Sequence, residues 1–570
     1  MKIETKNFDN LDFEKQCEII NASPFSEKGD LILRSSSPEV IVPSLACEDF
    51  YLIYSSAGSE LQPEFLRFAR SDQLVFASDF ECWEKDEIAD VRFLGWIGML
   101  QQTGREQFLN WLADADFELI LSGLLSHVEV IKTQHLELID DYIGDRPFFS
   151  LDNLYYVCIE GDDFEVVRHL IETLFQTNRT RYMQLVEGLI CVNALEVLEE
   201  SYQLRNRRLA HYGFPDKDEA MRIYLPVSDW DAIEEKNAAI ESEIRVPPEV
   251  FRTTYPILRD RRRIFLDDAL SLYEEFHPND HGIFVEFVAI ANKIIVCEEL
   301  DFRNDETMRY ALARARKVVS LALEDLSGSK IERAAELLRR HWVETFHRWG
   351  ITRLRQLRGL GNDIYQKSGF KSMQGFSRFL GAPWKYHFQG IMRFYPMKAR
   401  DDAETEVVEI EDFESLPEVE RFFREIREID AVLDYLGAHF GRDWDRVLGQ
   451  DYANVELEGE NVDLAGMLAT LCAHLCLNGR PSFEPLSVEG VKDFIRKAFE
   501  GESPLRTLRP TVRSALVREV LGDGADGAHP VLDRVCDRIR DEAGGVNLDL
   551  PLDTRFIPVF LTKKKSGSSA

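Results

Sequence analysis

From Pro43 onward, apolar side chains return every three or four residues and are halted again and again by glycine, a pattern that confines the chain to packed amphipathic helices. SLACEDFYLIYSSAG, ELQPEFLRFARSDQLVFASDF, VRFLGWIGMLQQTG and EQFLNWLADADFELILSGLL follow one another, with Gly58, Gly104, Gly123 and Gly144 at or near their ends. A residue without a Cβ suits a left-handed C-cap or a turn there. FLRFARSDQLVFA from Phe65 and FLNWLADADFELIL from Phe108 share one plan: an apolar half-helix, a small Ser/Asp cluster and a second apolar run. Their spacing of about 43 residues falls within the roughly 40 to 47 of HEAT-like helical repeats, although any amphipathic helical hairpin gives a match of this kind. Valine-rich strands do not alternate with the helices, so a doubly wound sheet is not expected. The expected class is all-α, mainly helical: HEAT-like or superhelical stacked hairpins in the N-terminal part, followed by further helical regions.

At 570 residues the chain exceeds the roughly 250 to 300 at which one hydrophobic core stops growing, so several units are expected. Residues 1–42 read as an N-terminal arm in which LILRSSSPEVIV is a loop or irregular stretch, and 43–225 as the helical-repeat domain. Inside that domain Phe148, Phe149, Leu154, Tyr155 and Tyr156 form a short strand or an aromatic plug, after which Asp162 and Asp163 open a helix. Residues 226–250 read as a linker that Pro247-Pro248 keeps from being helical, 251–400 as a central helical domain and 401–416 as an acidic tether. A C-terminal helical domain over 417–561 and a disordered tail over 562–570, carrying Lys563, Lys564 and Lys565, complete the division.

The 101 acidic side chains against 68 basic ones repel nucleic acid and anionic membrane surfaces, so a nucleic-acid partner is not expected. The most hydrophobic stretch, Gly282 to Leu300, is interrupted by Glu286 and Lys293 and falls short of a membrane span. Nine cysteines occur without a CxxC pair, and the N-terminus lacks a basic segment followed by an apolar core. The cytoplasm is the expected compartment.

The most specific stretch is LRNRRLAHYGFPDKDEAMRIY, Leu204 to Tyr224. Leu185, Leu189, Val192, Leu195, Glu199 and Tyr202 fall at helical spacing, which predicts a long helix from about Tyr182 to Ala210. Arg205, Arg207 and Arg208 then lie in its last turns, where cations complement the helix dipole at about 0.3 to 1 kcal/mol each. After His211, Gly213 suits the left-handed C-cap, Phe214 folds back as its hydrophobic contact, and Pro215 stops the helix. Asp216 caps the next helix, with Glu219 closing a capping box. The stretch reads as an architectural joint before it reads as an anion pocket.

SELQPEFLRFARSDQLVFASDFECWEKDEI, the DRPFFSLDNLYYVCIEGDD block and LEVLEESYQLRNRRLAHYGFPDKDEAMRIY together are similar to an uncharacterised bacterial family, a domain of unknown function of the DUF6178 type. Its boxes read DxDxWxKD and R..RL...GFP...EA..IY. This chain departs at the first, where Glu81 stands in place of the second aspartate in Asp79-Phe80-Glu81-Cys82-Trp83-Glu84-Lys85-Asp86. The N-terminal part also resembles the helical superhelix domain of magnesium transporters. The resemblance implies no activity, because the family carries none.

Chemistry has three further candidates. Glu274 with His277 and Glu344 with His347 are Glu-x-x-His pairs of the kind a di-iron helical bundle uses, with Glu286 or Glu298 as an additional ligand, although Pro278 brings His277 to a helix end. Cys472-Ala473-His474-Leu475-Cys476 lies on a helix that turns His474 away from both thiols, so small buried cysteines are the simpler reading. Arg348, Arg353, Arg355 and Arg358 form the strongest local basic run, but no P-loop or dinucleotide fingerprint accompanies them. The function expected is a non-catalytic cytoplasmic adaptor or scaffold. It binds another protein through a helical-repeat surface, with exposed anchors drawn from Trp83, Trp96 and Trp111, of which at least two are expected in the core. No cofactor is expected on this reading. The alternative is a metal-dependent, di-iron-like enzyme in the central helical domain.

Overall fold

The computed structural model describes residues 8–562 apart from 9–10, 134–142, 144–145, 160–162, 237–262, 279–281, 304, 401–407, 443, 445–461, 502–505, 525–526 and 554–556. Gly144, the Pro247-Pro248 pair, most of the expected linker, the start of the acidic tether and the lysine tail lie outside the described residues.

The described chain is mainly helical, as the apolar spacing predicts. Helices begin before Pro43, where an irregular arm was expected: Phe13–Ala22, Phe25–Leu33 and Pro38–Ser44. Asp12 caps the first by accepting from the Lys15 amide at 3.0 Å. Gln16, fully buried, gathers the Ser36 amide and hydroxyl at 3.1 and 3.0 Å, so the serine run closes a corner between short helices. Such helices span too few turns to display a period.

Helices Cys47–Ser56, Ser71–Glu81, Asp90–Thr103, Arg105–Asp114 and Phe117–Leu124 follow. Gly104 does separate two helices, at φ 141°. Gly123 is the next-to-last residue of Phe117–Leu124, where a Cβ would stand 2.6 Å from the Phe93 ring. The aromatic block supplies strands: Tyr155–Ile159, buried along its whole length, is the middle strand between Val128–Lys132 and Phe148–Phe149. The helix expected from Tyr182 to Ala210 is two helices, Arg179–Cys191 and Ala194–His211. Val192 is extended and Asn193 caps the second helix, leaving Leu195 77% exposed and off the predicted apolar face.

The remaining helices include Phe265–Phe276, Gly282–Cys297, Asp305–Ser327 and Val343–Ser368, then Leu416–Phe440, Leu464–Asn478 and Pro530–Ala543. Buried apolar side chains from Phe8 to Leu561 form one connected cluster that runs through the regions expected to be separate. Asp305–Ser327 and Val343–Ser368 approach so closely at Gly350 that a Cβ there would stand 2.4 Å from the Val318 carbonyl oxygen. The Glu428 carboxylate accepts from the Val531 and Leu532 amides at 3.1 and 3.0 Å, at the positive end of the last helix. Among the described residues, no helix is long and apolar enough to cross a membrane.

Candidate functional site

The two boxes singled out by sequence, Asp79–Asp86 and Arg205–Asp216, fold onto each other. Asp79 lies near the end of the Ser71–Glu81 helix with its side chain fully buried. Arg208 grips it with Nε and Nη2 at 2.8 and 2.7 Å, and donates through Nη1 to Asp116 at 2.7 Å. Burial works against the Arg208 charge, but the two carboxylates outweigh it and hold the guanidinium above its usual range. Arg208 is therefore a fastener between helices, where a charge at a helix end was expected. Arg207 is exposed. Arg205 donates to the Asp79 carbonyl at 2.7 Å and to the Lys85 carbonyl at 3.2 Å, with its guanidinium 5.0 Å from the centre of the Trp83 ring.

The joint has the left-handed glycine and the Asp216 cap that its residue order predicts; of the expected capping box, only the Asp216 half is among the described contacts. Gly213 sits at φ 78°, the Phe214 amide donates to Leu209 at 3.0 Å, and the Gly213 amide donates to Ala210 at 3.1 Å. Phe214 is buried, its ring centre 4.8 Å from Phe302 and 5.6 Å from Phe80. Asp216 accepts from the Glu219 amide at 2.8 Å. The helix it caps is one turn, Lys217–Ala220, continuing as a 3-10 turn to Tyr224. His211 is exposed.

Beyond the Asp79 helix, Trp83–Glu84 and Glu87–Ile88 pair as an antiparallel hairpin whose turn places Lys85 at φ 60°. This hairpin, the Ala194–His211 helix, the joint and the end of Gly282–Cys297 enclose a cavity of about 440 Å³. Its apolar lining includes Phe80, Trp83, Tyr202, Phe214 and Phe302; its charged lining includes Arg92, Arg205, Arg303, Lys85, Lys217, Glu299 and Asp301. Glu299 occupies the left-handed position just past Gly282–Cys297, at φ 52°, a place that favours glycine, while the Leu300 amide donates to Ile295 at 3.0 Å. Its carboxylate bridges Lys217 and Lys85, the latter at 3.3 Å. Two non-glycine residues in left-handed backbone thus meet at the cavity. Lys217 and Lys85 hold the Glu299 carboxyl below its ordinary value, Glu299 raises Lys217, and Arg303 lowers Asp301. Arg92, Glu299, Asp301 and Arg303 were not foreseen, because nothing local in the sequence marks a residue that completes a distant wall.

The other candidates fall elsewhere. Trp83, Trp96 and Trp111 are 3, 2 and 0% exposed, so none is a surface anchor; all three are spent on the core. The two Glu-x-x-His pairs do not assemble: among the described residues, no group of three or more His, Cys, Asp or Glu side chains could hold a metal ion. His277 terminates its helix, Glu344 pairs with Lys293 at 2.6 Å, and His347 is fully buried with Nδ1 3.3 Å from the Ile223 carbonyl. Glu286 accepts from Lys236 and the Val343 amide at 2.7 and 2.6 Å, and Glu298 pairs with the buried Arg314. Glu344, Glu286 and Glu298 each have a cation or amide as partner, where the alternative reading would set a metal. Cys472 is buried, Cys476 is half-buried, and His474 turns away to the Glu484 carbonyl at 2.8 Å. In the basic run, Arg348 donates to the Leu225 carbonyl at 3.2 Å, Arg353 pairs with Asp325 at 3.3 Å, and Arg355 lies 5.5 Å from the Phe394 ring centre.

The model of a Family of unknown function (DUF6178) matches residues 5–563 of the chain. No curated protein and no solved structure matches the chain.

Proposed function

The chain belongs to this family of unknown function, and from the chemistry of the cavity we propose that it works as a non-catalytic cytoplasmic adaptor, engaging a partner protein around the cavity mouth. What supports the reading is the rim of the cavity, where the exposed acidic side chains Glu84, Asp86, Asp216 and Glu299 outnumber the exposed Lys85 and Lys217. Three of its ionisable groups are paired so that they stay charged: Glu299 and Asp301 are lowered and Lys217 is raised. An acid or base works best with a pKa near the operating pH, and these shifts run the other way. The acidic excess over the two lysines at the mouth favours a partner with a basic face.

The test is affinity purification from cells producing the full chain, the charge-reversed Glu84→Lys/Asp86→Lys variant, or a control reversed at the exposed Asp549. The adaptor reading expects one stoichiometric protein that is lost from the mouth variant and kept by the control. Equal recovery from all three, or none from any, overturns it.

A further inference from the structure

Among the described residues, two cations of the cavity have no carboxylate within ion-pair distance. Three half-buried arginines, Arg92, Arg205 and Arg303, line it. Arg303 is satisfied by its neighbour Asp301, at 2.6 to 3.1 Å. Arg92 and Arg205 are not satisfied in this way. Arg92 donates only to backbone carbonyls, of Glu81 at 3.2 Å and Phe80 at 3.0 Å, and Arg205 only to those of Asp79 and Lys85 at 2.7 and 3.2 Å. Carbonyl oxygens fix a guanidinium in place without neutralising it. Asp79, the buried carboxylate whose backbone carbonyl Arg205 reaches, gives both its side-chain oxygens to Arg208. Arg92 Nη1 and Arg205 Nη2 have no hydrogen bond, and neither is among the buried atoms sealed from solvent. In a chain of net charge -33, two arginines left in this state beside an aromatic wall are the groups an anion would find.

We propose that this cavity binds a small organic anion, a carboxylate or phosphate on a flat apolar body, with the anionic group on Arg92 and Arg205 and the body against Phe80, Phe214 and Phe302. The volume of about 440 Å³ lies within the range of roughly 300 to 1,000 Å³ for small-molecule sites. The five N–H donors of each guanidinium leave room for paired hydrogen bonds to such a group after the carbonyls are served. Glu299 supplies a brake: its carboxylate occupies Lys85 and Lys217 at the mouth, two cations that an entering anion would otherwise use. The ligand site does not depend on the adaptor reading, since the pocket exists in the chain alone.

Isothermal titration calorimetry on the purified full chain tests this, with phenyl phosphate, benzyl alcohol and inorganic phosphate as probes. Phenyl phosphate is expected to bind saturably at one per chain, at least about tenfold more tightly than either the neutral ring or the bare anion. Arg92→Gln lowers that affinity about tenfold, and the exposed Glu299→Gln raises it several-fold by releasing the two lysines. If Arg92→Gln does not fold, Glu299→Gln decides alone. No saturable heat with phenyl phosphate, equal affinity for benzyl alcohol, or an affinity indifferent to Glu299→Gln overturns the proposal. Because no partner is present in the cell, none of these results bears on whether the adaptor reading fails.

Discussion

Replacing Arg208 by alanine separates two accounts of the arginine-rich helix end. As a cation complementing a helix dipole, Arg208 would contribute about 0.3 to 1 kcal/mol, and Arg207 beside it the same. The structure gives the two residues different work. Arg208 makes three charge-assisted hydrogen bonds of 2.7 to 2.8 Å, two of them to a carboxylate with no solvent exposure. Deleting it leaves the Asp79 carboxylate desolvated and without its cation, and breaking such a pair costs about 3 to 5 kcal/mol. Arg207 is exposed, and its replacement should stay within about 0.5 kcal/mol. Equilibrium urea unfolding followed by circular dichroism gives the comparison, with Arg208→Lys as an intermediate that keeps the charge and loses the fork. The Arg208→Ala/Asp79→Ala double variant adds a second check. It removes the orphaned charge, so its cost should fall well below the sum of the single costs. If Arg208→Ala and Arg207→Ala cost the same, within about 1 kcal/mol, the buried pair is not what holds these helices and the reasoning fails.

Three further outcomes follow from the geometry. Gly213 sits at φ 78°, so Gly213→Ala should destabilise by about 1 kcal/mol or more, and an unchanged urea midpoint would contradict the left-handed cap. Gly350→Ala would place a Cβ 2.4 Å from the Val318 carbonyl oxygen; the two helices must separate, at about 1 to 3 kcal/mol, and wild-type stability would show that they have room. Burial drives His347 from its ordinary 6.5 down to about 3, so the unfolded chain takes up this proton first on acidification. Its contribution is complete above pH 6.5 and falls by up to about 1.4 kcal/mol per unit as pH drops towards 3. His347→Gln should accordingly flatten the acid limb of the stability profile, and an unchanged slope in the variant refutes the burial argument.

What could be read from sequence follows the distance over which each interaction acts. The Gly213-Phe214-Pro215-Asp216 joint was legible residue by residue, because a cap is decided within one helix turn. The mainly helical class was legible because a period needs only its own window. The break at Val192-Asn193 escaped that window, since an asparagine able to cap competed with apolar spacing that continued straight through it. Long-range partners were beyond reach: Asp79 and Arg208 lie far apart in the chain, and a cation in a last turn reads alike whether it faces water or a buried carboxylate. The tryptophans show the same limit from the other side. Composition suits Trp83, Trp96 and Trp111 to an interface as well as to a core, and only the packing assigns all three to the interior.

The paired arginines explain why structure and candidate function share so few residues here. Arg205 and Arg208 stand three apart on one helix, hence on neighbouring faces of the same turn, and both reach Asp79. Arg208 takes the carboxylate and joins helix to helix. Arg205 takes the carbonyl and, through Lys85, the turn of the hairpin that walls the cavity. Had Asp79 offered its side chain to Arg205, the cavity would carry a neutral pair at its wall. Because Arg208 occupies both oxygens, Arg205 has no carboxylate hydrogen bond; burial pushes its pKa below the usual value, against the pull of the nearby Asp79 charge. The first aspartate of the box therefore acts twice, securing the scaffold through its side chain and, by being unavailable, leaving the cavity cationic. On this logic Asp79→Asn should loosen the fold and leave anion binding by the surviving folded fraction in place, whereas Arg92→Gln should do the reverse.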